Sequence, residues 1–443
     1  MSRAVTLVNL FQSGREGERL MPLGALWLRA ACEARGVAVD LRDLQFLPWE
    51  AFASPDAIAD AIGETHPVVG LSCMTDLLPL AVAVAGRLKA RDPTRVVVLG
   101  GWGPSTVAGP LADAFPHVDF VARGEGDETL PNLVCALADG DPTKVKGLDG
   151  WWRGARFRSP DQPPVADVAA LAEPRIDDLD LSAYSYYTTV TARGCPYQCA
   201  FCEIPTMETR TVRARSVERV VAELVHVHER HGVDFVGIQD DIFLLSRRRV
   251  DAILDGLEAA GVRMRWSGFA RANAADEGWL ARLAERGCDQ VTFGIEAGAD
   301  TLLSAMTKAL TVEKAFTGLT RALRHVSTRC YFLWGFPFET LDDFLGTAHA
   351  AFLAAQLGVV VEIGHVVPLA GSPLYLEHTG RGGALELHAR YPFGRIIQPP
   401  ATPELFEMVA AHPRVFPAFY AFPTPDRDAK WALAPGLRPH RWA

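Results

Sequence analysis

Three cysteines stand close together in Arg193-Gly194-Cys195-Pro196-Tyr197-Gln198-Cys199-Ala200-Phe201-Cys202, with three and then two residues between them. No other stretch of the 443-residue chain narrows the possible structures so far. When such a loop folds back, its thiolates converge, and three converging thiolates suit a cuboidal iron-sulfur cluster with one iron left without a protein ligand. That open iron can be chelated by an exogenous molecule carrying an amino and a carboxylate group. Gly194 and Pro196 suit a tight loop leaving a strand, and Phe201 is placed to shield the cluster from water. Two other readings exist. Buried cysteines can be plain small hydrophobes, and a structural zinc site needs a fourth ligand, which no nearby Cys or His supplies. The spacing favours the cluster.

The rest of the chain must then supply a protected, reduced setting for such a centre. A hydrophobic content of 49% supports ordinary cores, enough at this length for two domains or one domain with sizeable additions. The formal net charge of -9, with no basic block anywhere, argues against a general affinity for nucleic acid. The apolar run before Phe11-Gln12-Ser13-Gly14 is too short for a signal peptide, and no stretch approaches the ~20 apolar residues of a spanning helix. The expectation is a cytoplasmic protein with no membrane partner. Cys32, Cys73, Cys135, Cys288 and Cys330 are scattered in apolar contexts and read as reduced, buried thiols.

Ahead of the cysteines, short β-branched runs at 5–9, 37–41, 68–72, 95–99 and 118–122 each read as a buried parallel strand. Helical patterns lie between most of them, the clearest at 23–32, ending at Gly36, and at 80–90. This predicts a doubly wound α/β sheet, which binds ligands outside the carboxyl ends of its strands. Ser72-Cys73-Met74-Thr75, Gly100-Gly101-Trp102-Gly103-Pro104 and Arg123-Gly124-Glu125-Gly126-Asp127-Glu128-Thr129 follow three of those ends. Glycine there lets the backbone approach a large flat ligand or its phosphate, although strand-to-helix turns also need glycine. Residues 141–187, broken by Gly150, Gly154, Pro160, Pro163, Pro164 and Pro174, read as a linker strap. From Thr188 onward strands alternate with helices again, at 234–238, 263–269, 290–294, 329–334 and 359–363, and the strand leading into Cys195 makes six. The helices at 217–232 and 280–287 read as ordinary outer helices.

The cysteine motif, flanked by Thr191-Ala192-Arg193-Gly194 and containing Phe201, resembles the signature of the radical S-adenosylmethionine (radical SAM) superfamily. The Leu99-Gly100-Gly101 turn followed by Arg123-Gly124-Glu125-Gly126-Asp127-Glu128-Thr129-Leu130-Pro131, all ahead of the cysteines, resembles the cobalamin-binding domain of that superfamily's cobalamin-dependent members. The matches run from about position 20 to 375. The resemblance implies an N-terminal doubly wound, Rossmann-like cobalamin-binding-type domain (1–140) and a partial (β/α)6 radical SAM barrel (188–375). A C-terminal extension (376–443) then caps the barrel or covers an apolar face. It further implies a 4Fe-4S cluster on Cys195, Cys199 and Cys202, S-adenosyl-L-methionine on the open iron, and cobalamin. On that pattern Ser72, Thr75, Gly100, Gly101, Trp102, Gly124, Glu125, Gly126 and Glu128 are the cobalamin contacts. One departure concerns cobalt. The Asp-x-His-x-x-Gly motif is absent and His117 has the wrong spacing to replace it, so cobalamin would sit without a histidine below.

The same resemblance gives roles to strand-end residues of the second half. Gln239-Asp240-Asp241-Ile242-Phe243 corresponds to the segment that meets the amino group of S-adenosylmethionine, although Asp240 or Asp241 would alternatively cap the next helix. Arg271 is a partner for a carboxylate or a substrate anion, with a surface salt bridge as the plainer alternative. Gly294-Ile295-Glu296-Ala297-Gly298 looks like the turn whose glutamate accepts from ribose hydroxyls, and Lys308 belongs to the same pattern. Gly335-Phe336-Pro337-Phe338-Glu339-Thr340 resembles the loop near adenine, with Phe338 where the family usually has glycine. The leading expectation is a C-methyltransferase that uses a 5′-deoxyadenosyl radical on an unactivated carbon of a natural-product or peptide substrate. An electron donor such as flavodoxin or ferredoxin is implied. A non-methylating cyclisation, rearrangement or oxidation is the alternative within the class, and a noncatalytic iron-sulfur scaffold the alternative outside it.

Overall fold

The computed structural model describes residues 2–12, 17–387 and 402–434. Its first sheet has seven strands: β1 (Ala4–Leu10), β2 (Ala38–Asp43), β3 (Val68–Cys73), β4 (Val96–Gly100), β5 (Phe120–Ala122), β6 (Leu148–Trp152) and β7 (Ala155–Arg158). Their order is β2-β1-β3-β4-β5-β6-β7, parallel through β5 and antiparallel beyond it. The central β1 is buried at all seven positions because helices cover both faces, which is why its sequence is a continuous apolar run. The direction of winding reverses between β1 and β3, and at such a reversal a crevice opens beyond the strand ends.

Two expectations change here. The run at 37–41 is an edge strand, not a buried one, and β2 is only half-buried because the sheet stops there and Asp40 and Arg42 alternate along it. Part of the expected strap, residues 148–158, is instead a hairpin that extends the first sheet. Arg153 (φ 50°) and Gly154 (φ 79°) form its turn, the two-residue geometry whose twist suits a hairpin. Asp149, fully buried in β6, accepts from Arg158 at 2.9 Å and Arg156 at 3.0 Å within the hairpin and from Arg123 at 2.6 Å, which ties the hairpin to the end of β5.

The second sheet contains β8 (Tyr187–Thr189), then β11 (Phe235–Ile238), β12 (Arg265–Ala270), β13 (Cys288–Glu296), β14 (Ser327–Trp334) and β15 (Val360–His365). Between β8 and β11 a small antiparallel ribbon forms from β9 (Ala192–Arg193) and β10 (Arg213–Ala214). All neighbours in the six-stranded sheet are parallel and follow chain order, the topology of a partial barrel. Its outer helices bury one stripe each. Helix Val217–His231 turns Val220, Leu224 and Val227 inward, is capped by Ser216 and ends at Gly232 in the left-handed region.

The C-terminal extension serves both halves of the molecule. Helix Pro403–Ala411 and residues 415–420 enter the core of the first sheet beside Val8, Leu10 and Val84, while helix Arg427–Leu433 reaches the barrel. The extension is therefore more than a barrel cap, because its apolar residues complete a core that begins 400 positions earlier in the chain. The aromatic and proline positions 391–394 and 399–400 lie outside the described residues. No described helix is long and apolar enough to cross a membrane.

Candidate active site at the domain seam

The cysteine loop is held from beneath by two aspartates. Beyond β11, the buried Asp240 accepts from the Thr191 N–H at 2.5 Å, the Thr191 hydroxyl at 2.6 Å and the Ala192 N–H at 3.1 Å. Burial pushes its carboxyl up to about 6 despite those donors. Asp241 accepts from the Gly194 N–H at 3.0 Å. Gly194 has φ 94°, and a Cβ there would stand 2.7 Å from the Thr211 carbonyl oxygen, so glycine is required. Neither aspartate caps the following helix, which begins at Arg247 with Ser246 as its cap. Both instead fix the backbone that carries the cysteines.

Around the thiols the charges are buried and paired. Arg271 places Nη1 3.9 Å from Cys199 Sγ, lies 3.9 Å from the Tyr197 ring centroid and donates to the Lys308 carbonyl. Burial raises Cys202 to about 12 and raises Cys195, and the charges of Cys199 and Cys195 add to the effect at Cys202. Glu296, at φ 75° after a bulge in β13, accepts from Lys308 Nζ at 2.7 Å, and a Cβ on Gly294 would run into its carboxylate. Lys308 Nζ lies 5.8 Å from the Phe201 ring. On the other side of Phe201, Phe336 meets it edge-on at 6.1 Å, and Phe338 stacks on Phe336 at 5.7 Å without a left-handed backbone. The Gly335 N–H donates to Glu339 at 2.7 Å.

A cavity of about 570 Å³ lies between the first sheet and the base of this loop at Ala192 and Arg193. Ser72, Gly100, Gly101, Trp102, Gly124, Glu125 and Gly126 line it from the ends of β3, β4 and β5, and Gln239, Asp241, Arg193 and Glu208 from the barrel. Thr75 and Glu128 are not among its walls. Glu128 turns away to Arg35 at 2.6 Å because it lies on the face of its helix that packs on Leu23–Ala34. The two halves are joined by ion pairs. Arg193, two residues before Cys195, grips Asp127 at 2.9 and 3.1 Å, and Arg213 grips Glu125 at 2.8 and 2.9 Å. Trp27 lies under both Arg193 and Arg215 at 5.5 and 5.3 Å. Glu125 is thus occupied in docking the barrel.

The profile described as the Radical SAM superfamily matches residues 189–351, and that of the B12 binding domain matches 16–134. An uncharacterized methyltransferase of Pyrococcus horikoshii is 29% identical over 294 residues, covering 65% of this chain and 64% of that protein. The anaerobic magnesium-protoporphyrin IX monomethyl ester cyclase of Synechocystis sp. is 26% identical over 348 residues, 74% of this chain and 66% of that protein. The chain therefore spans just under two thirds of the length of these relatives. Among solved structures, the radical S-adenosylmethionine methyltransferase TsrM from Kitasatospora setae superposes with a TM-score of 0.73 at 20% identity, over 100% of this chain and 89% of that one. The chain pairs a B12 binding domain with a Radical SAM domain, the combination of cobalamin-dependent radical SAM enzymes.

That pairing of domains implies a 4Fe-4S cluster, S-adenosylmethionine and cobalamin, and the residues fit them. Three thiols on one loop, Cys199 buried and Cys195 and Cys202 half-buried, next to a buried guanidinium, suit an iron centre whose thiolate charge that guanidinium offsets. On the cobalamin side, Gly124 lines the cavity, and a Cβ added to it would meet no protein atom within 4 Å, so its face is open space. A Cβ on Gly101 or Gly103 would come within 2.7 Å of the Cys73 or Met74 carbonyl oxygen, so the turn beyond β4 lies flat against that beyond β3. Among the described residues no histidine lines the cavity, and His117 is engaged with the Val82 carbonyl at 3.1 Å.

Sequence reasoning missed several walls of the radical SAM cavity, among them Asn9, Phe11, Met74, Met207 and Glu208. Glu208 is the most informative. Burial, then the charges of Asp241 and Glu125, push it up to about 7, with Arg213 3.6 Å away. Its six-residue distance from Cys202 matches no motif, and only the fold brings it to the seam.

Proposed function

We propose that the chain is a C-methyltransferase that acts on an unactivated carbon of a natural-product or peptide substrate through a 5′-deoxyadenosyl radical. The observation that carries this reading is the 570 Å³ cavity at the seam, with a glycine floor on one side and the approach to the cysteine loop on the other. When bound, the cluster, S-adenosylmethionine and cobalamin supply an electron, a hydrogen-abstracting radical and a methyl group.

The chain's own residues do the binding and the shielding. Cys195, Cys199 and Cys202 hold the cluster, and Arg271 offsets its negative charge. Gln239, Asp241, Gly294, Glu296 and Gly335 form the strand-end site for S-adenosylmethionine. Ser72, Gly100, Gly101, Trp102, Gly124 and Gly126 receive cobalamin, and the carboxylates of Glu125 and Asp127 keep the two halves in register. Leu7, Leu10, Phe11, Met21 and Met207 give the cavity apolar walls that keep water from a radical. Glu208, poised near neutrality, can take a proton from an N–H or O–H group of the substrate. A flavodoxin or ferredoxin in the cytoplasm would donate the electron, and all eight cysteines, unpaired here, suit a reducing compartment. The likeness to the Synechocystis cyclase favours a second reading, a non-methylating cyclisation with or without bound cobalamin.

The test is anaerobic reconstitution with iron, sulfide and hydroxocobalamin, followed by metal analysis and product detection from methyl-labelled S-adenosylmethionine. The reading expects about four iron and one cobalt per chain, with label in a carbon-methylated product. Alanine at Cys195, Cys199 and Cys202 removes the iron and all 5′-deoxyadenosine while leaving cobalt bound. Iron without cobalt, or 5′-deoxyadenosine with no methylated product, hands the case to the cyclisation reading.

A further inference from the structure

Lys430 is completely buried, although it belongs to the short helix Arg427–Leu433 of the C-terminal extension. A buried ammonium needs partners for each of its protons. Lys430 Nζ donates to the Glu339 carbonyl at 2.5 Å and the Thr424 hydroxyl at 2.8 Å, and lies 3.2 Å from Glu339 Oε2. That same Oε2 accepts from the Gly335 N–H at 2.7 Å, so one carboxylate ties the start of the 335–340 loop to the lysine. Glu339 Oε1 is buried without a hydrogen-bond partner. The next residue, Trp431, stacks on His365 at 5.2 Å and meets Trp334 edge-on at 4.7 Å. A Cβ on Gly335, at φ 92°, would run into the His365 ring. Two consecutive residues of one helix, a cation and an aromatic, thus clamp the carboxyl ends of β14 and β15.

The clamped loop is a wall of the cluster site. Phe336 is fully buried and touches Phe201, which stands between the second and third cysteines. A packed path therefore runs from Lys430 through Glu339 and Phe336 to the residue next to Cys202. A buried ion pair is a poor way to gain stability, since an apolar pair of similar volume does as well or better, but it fixes the relative position of the two segments. Burial holds Glu339 up at about 7 even with the lysine beside it, so the arrangement carries a cost that stability alone does not explain.

We propose that Lys430 is a positioning residue for S-adenosylmethionine: through Glu339 it holds the 335–340 loop against the cysteine loop, and the cofactor binds tightly only while the C-terminal helix is docked. This rests on the reading above that S-adenosylmethionine occupies the carboxyl ends of the barrel strands. The test uses cluster-reconstituted full-length protein, titrated with S-adenosylmethionine and followed by the electron paramagnetic resonance spectrum of the reduced cluster. Lys430→Met leaves Glu339 buried without its cation and can unfold the region, so the double variant K430M/E339Q, with both charges removed, is measured beside it. The expected result for the double variant is unchanged iron and cobalt content, with S-adenosylmethionine affinity weakened about tenfold to a hundredfold. The apparent KM for 5′-deoxyadenosine formation rises in step, while kcat at saturation changes little. A titration that superimposes on the wild type, or an affinity loss that merely tracks lost iron, would overturn the proposal. If the wild-type cluster itself does not respond to S-adenosylmethionine, the proposed function falls and the inference falls with it.

Discussion

At the ends of β3, β4 and β5 the chain strips side chains away; at the ends of β11, β13 and β14 it crowds them together. The first set presents Gly100, Gly101, Gly124 and Gly126 to the cavity. The second presents Asp240, Asp241, Glu296, Lys308 and Glu339, all hydrogen-bonded to a backbone or to each other. The contrast follows from what each side must hold. A large rigid ligand is accommodated by volume and by close backbone approach. A charged cluster and a small zwitterion need fixed dipoles and charges, which work best where water is excluded. The ion pairs of Arg193 and Arg213 hold these two designs at one seam.

The sharpest way to break the comparison is to cut that seam. Arg193→Met leaves Asp127 buried without its cation, and we expect about 3–5 kcal/mol of lost stability, read by denaturant melts. An unchanged midpoint would mean that the Arg193–Asp127 pair does not hold the halves together. Next comes the glycine side. Gly124→Leu pays a conformational cost of about 1–2 kcal/mol for its φ of 73° and projects into open cavity, so cobalamin retention should fall about tenfold with iron intact. Parallel losses of iron and cobalt would show that the two sides are not separately built.

A smaller effect should come from Glu208. Its carboxyl is raised from 4.5 to about 7, so the folded chain binds this proton more tightly than the unfolded chain does. Stability from this group is full below about pH 4.5, declines as pH rises, and is lost above about pH 7. Glu208→Gln should flatten that slope and, at alkaline pH, stabilise the cofactor-free protein by about 1–3 kcal/mol. Parallel pH profiles for mutant and wild type would remove Glu208 from the seam's electrostatics. The smallest effect belongs to Glu128, whose pair with Arg35 is partly exposed. Glu128→Ala should change stability by less than about 0.5 kcal/mol and leave cobalt content alone. A cobalamin loss there would restore it to the binding face.

Much of the architecture was legible because its signals are local. The runs at 5–9, 68–72 and 290–294 are β-branched or apolar and end in small or glycine residues, and strands form there. The hairpin at 148–158 was not legible, since Gly150-Trp151-Trp152-Arg153-Gly154 shows no alternation and its partner strand is 30 residues earlier. Asp240 and Asp241 were placed correctly along the chain, but the helix cap that was their alternative task does not form. The donors they satisfy lie 47 to 49 residues upstream, in a segment that no capping rule relates to them.

The cysteine spacing, the glycine turns and the two successive strand-helix alternations were determined by the sequence alone, because each depends on residues within a few positions of one another. What only the tertiary structure decided is which charges meet. Arg193 finds Asp127 across 66 positions, Lys430 finds Glu339 across 91, and Glu208 acquires its proton affinity from neighbours on both halves. Each is an ordinary polar residue in its local context. The free energy that gives it a role comes from losing water at the moment two distant segments close, and no pattern in either segment records the other.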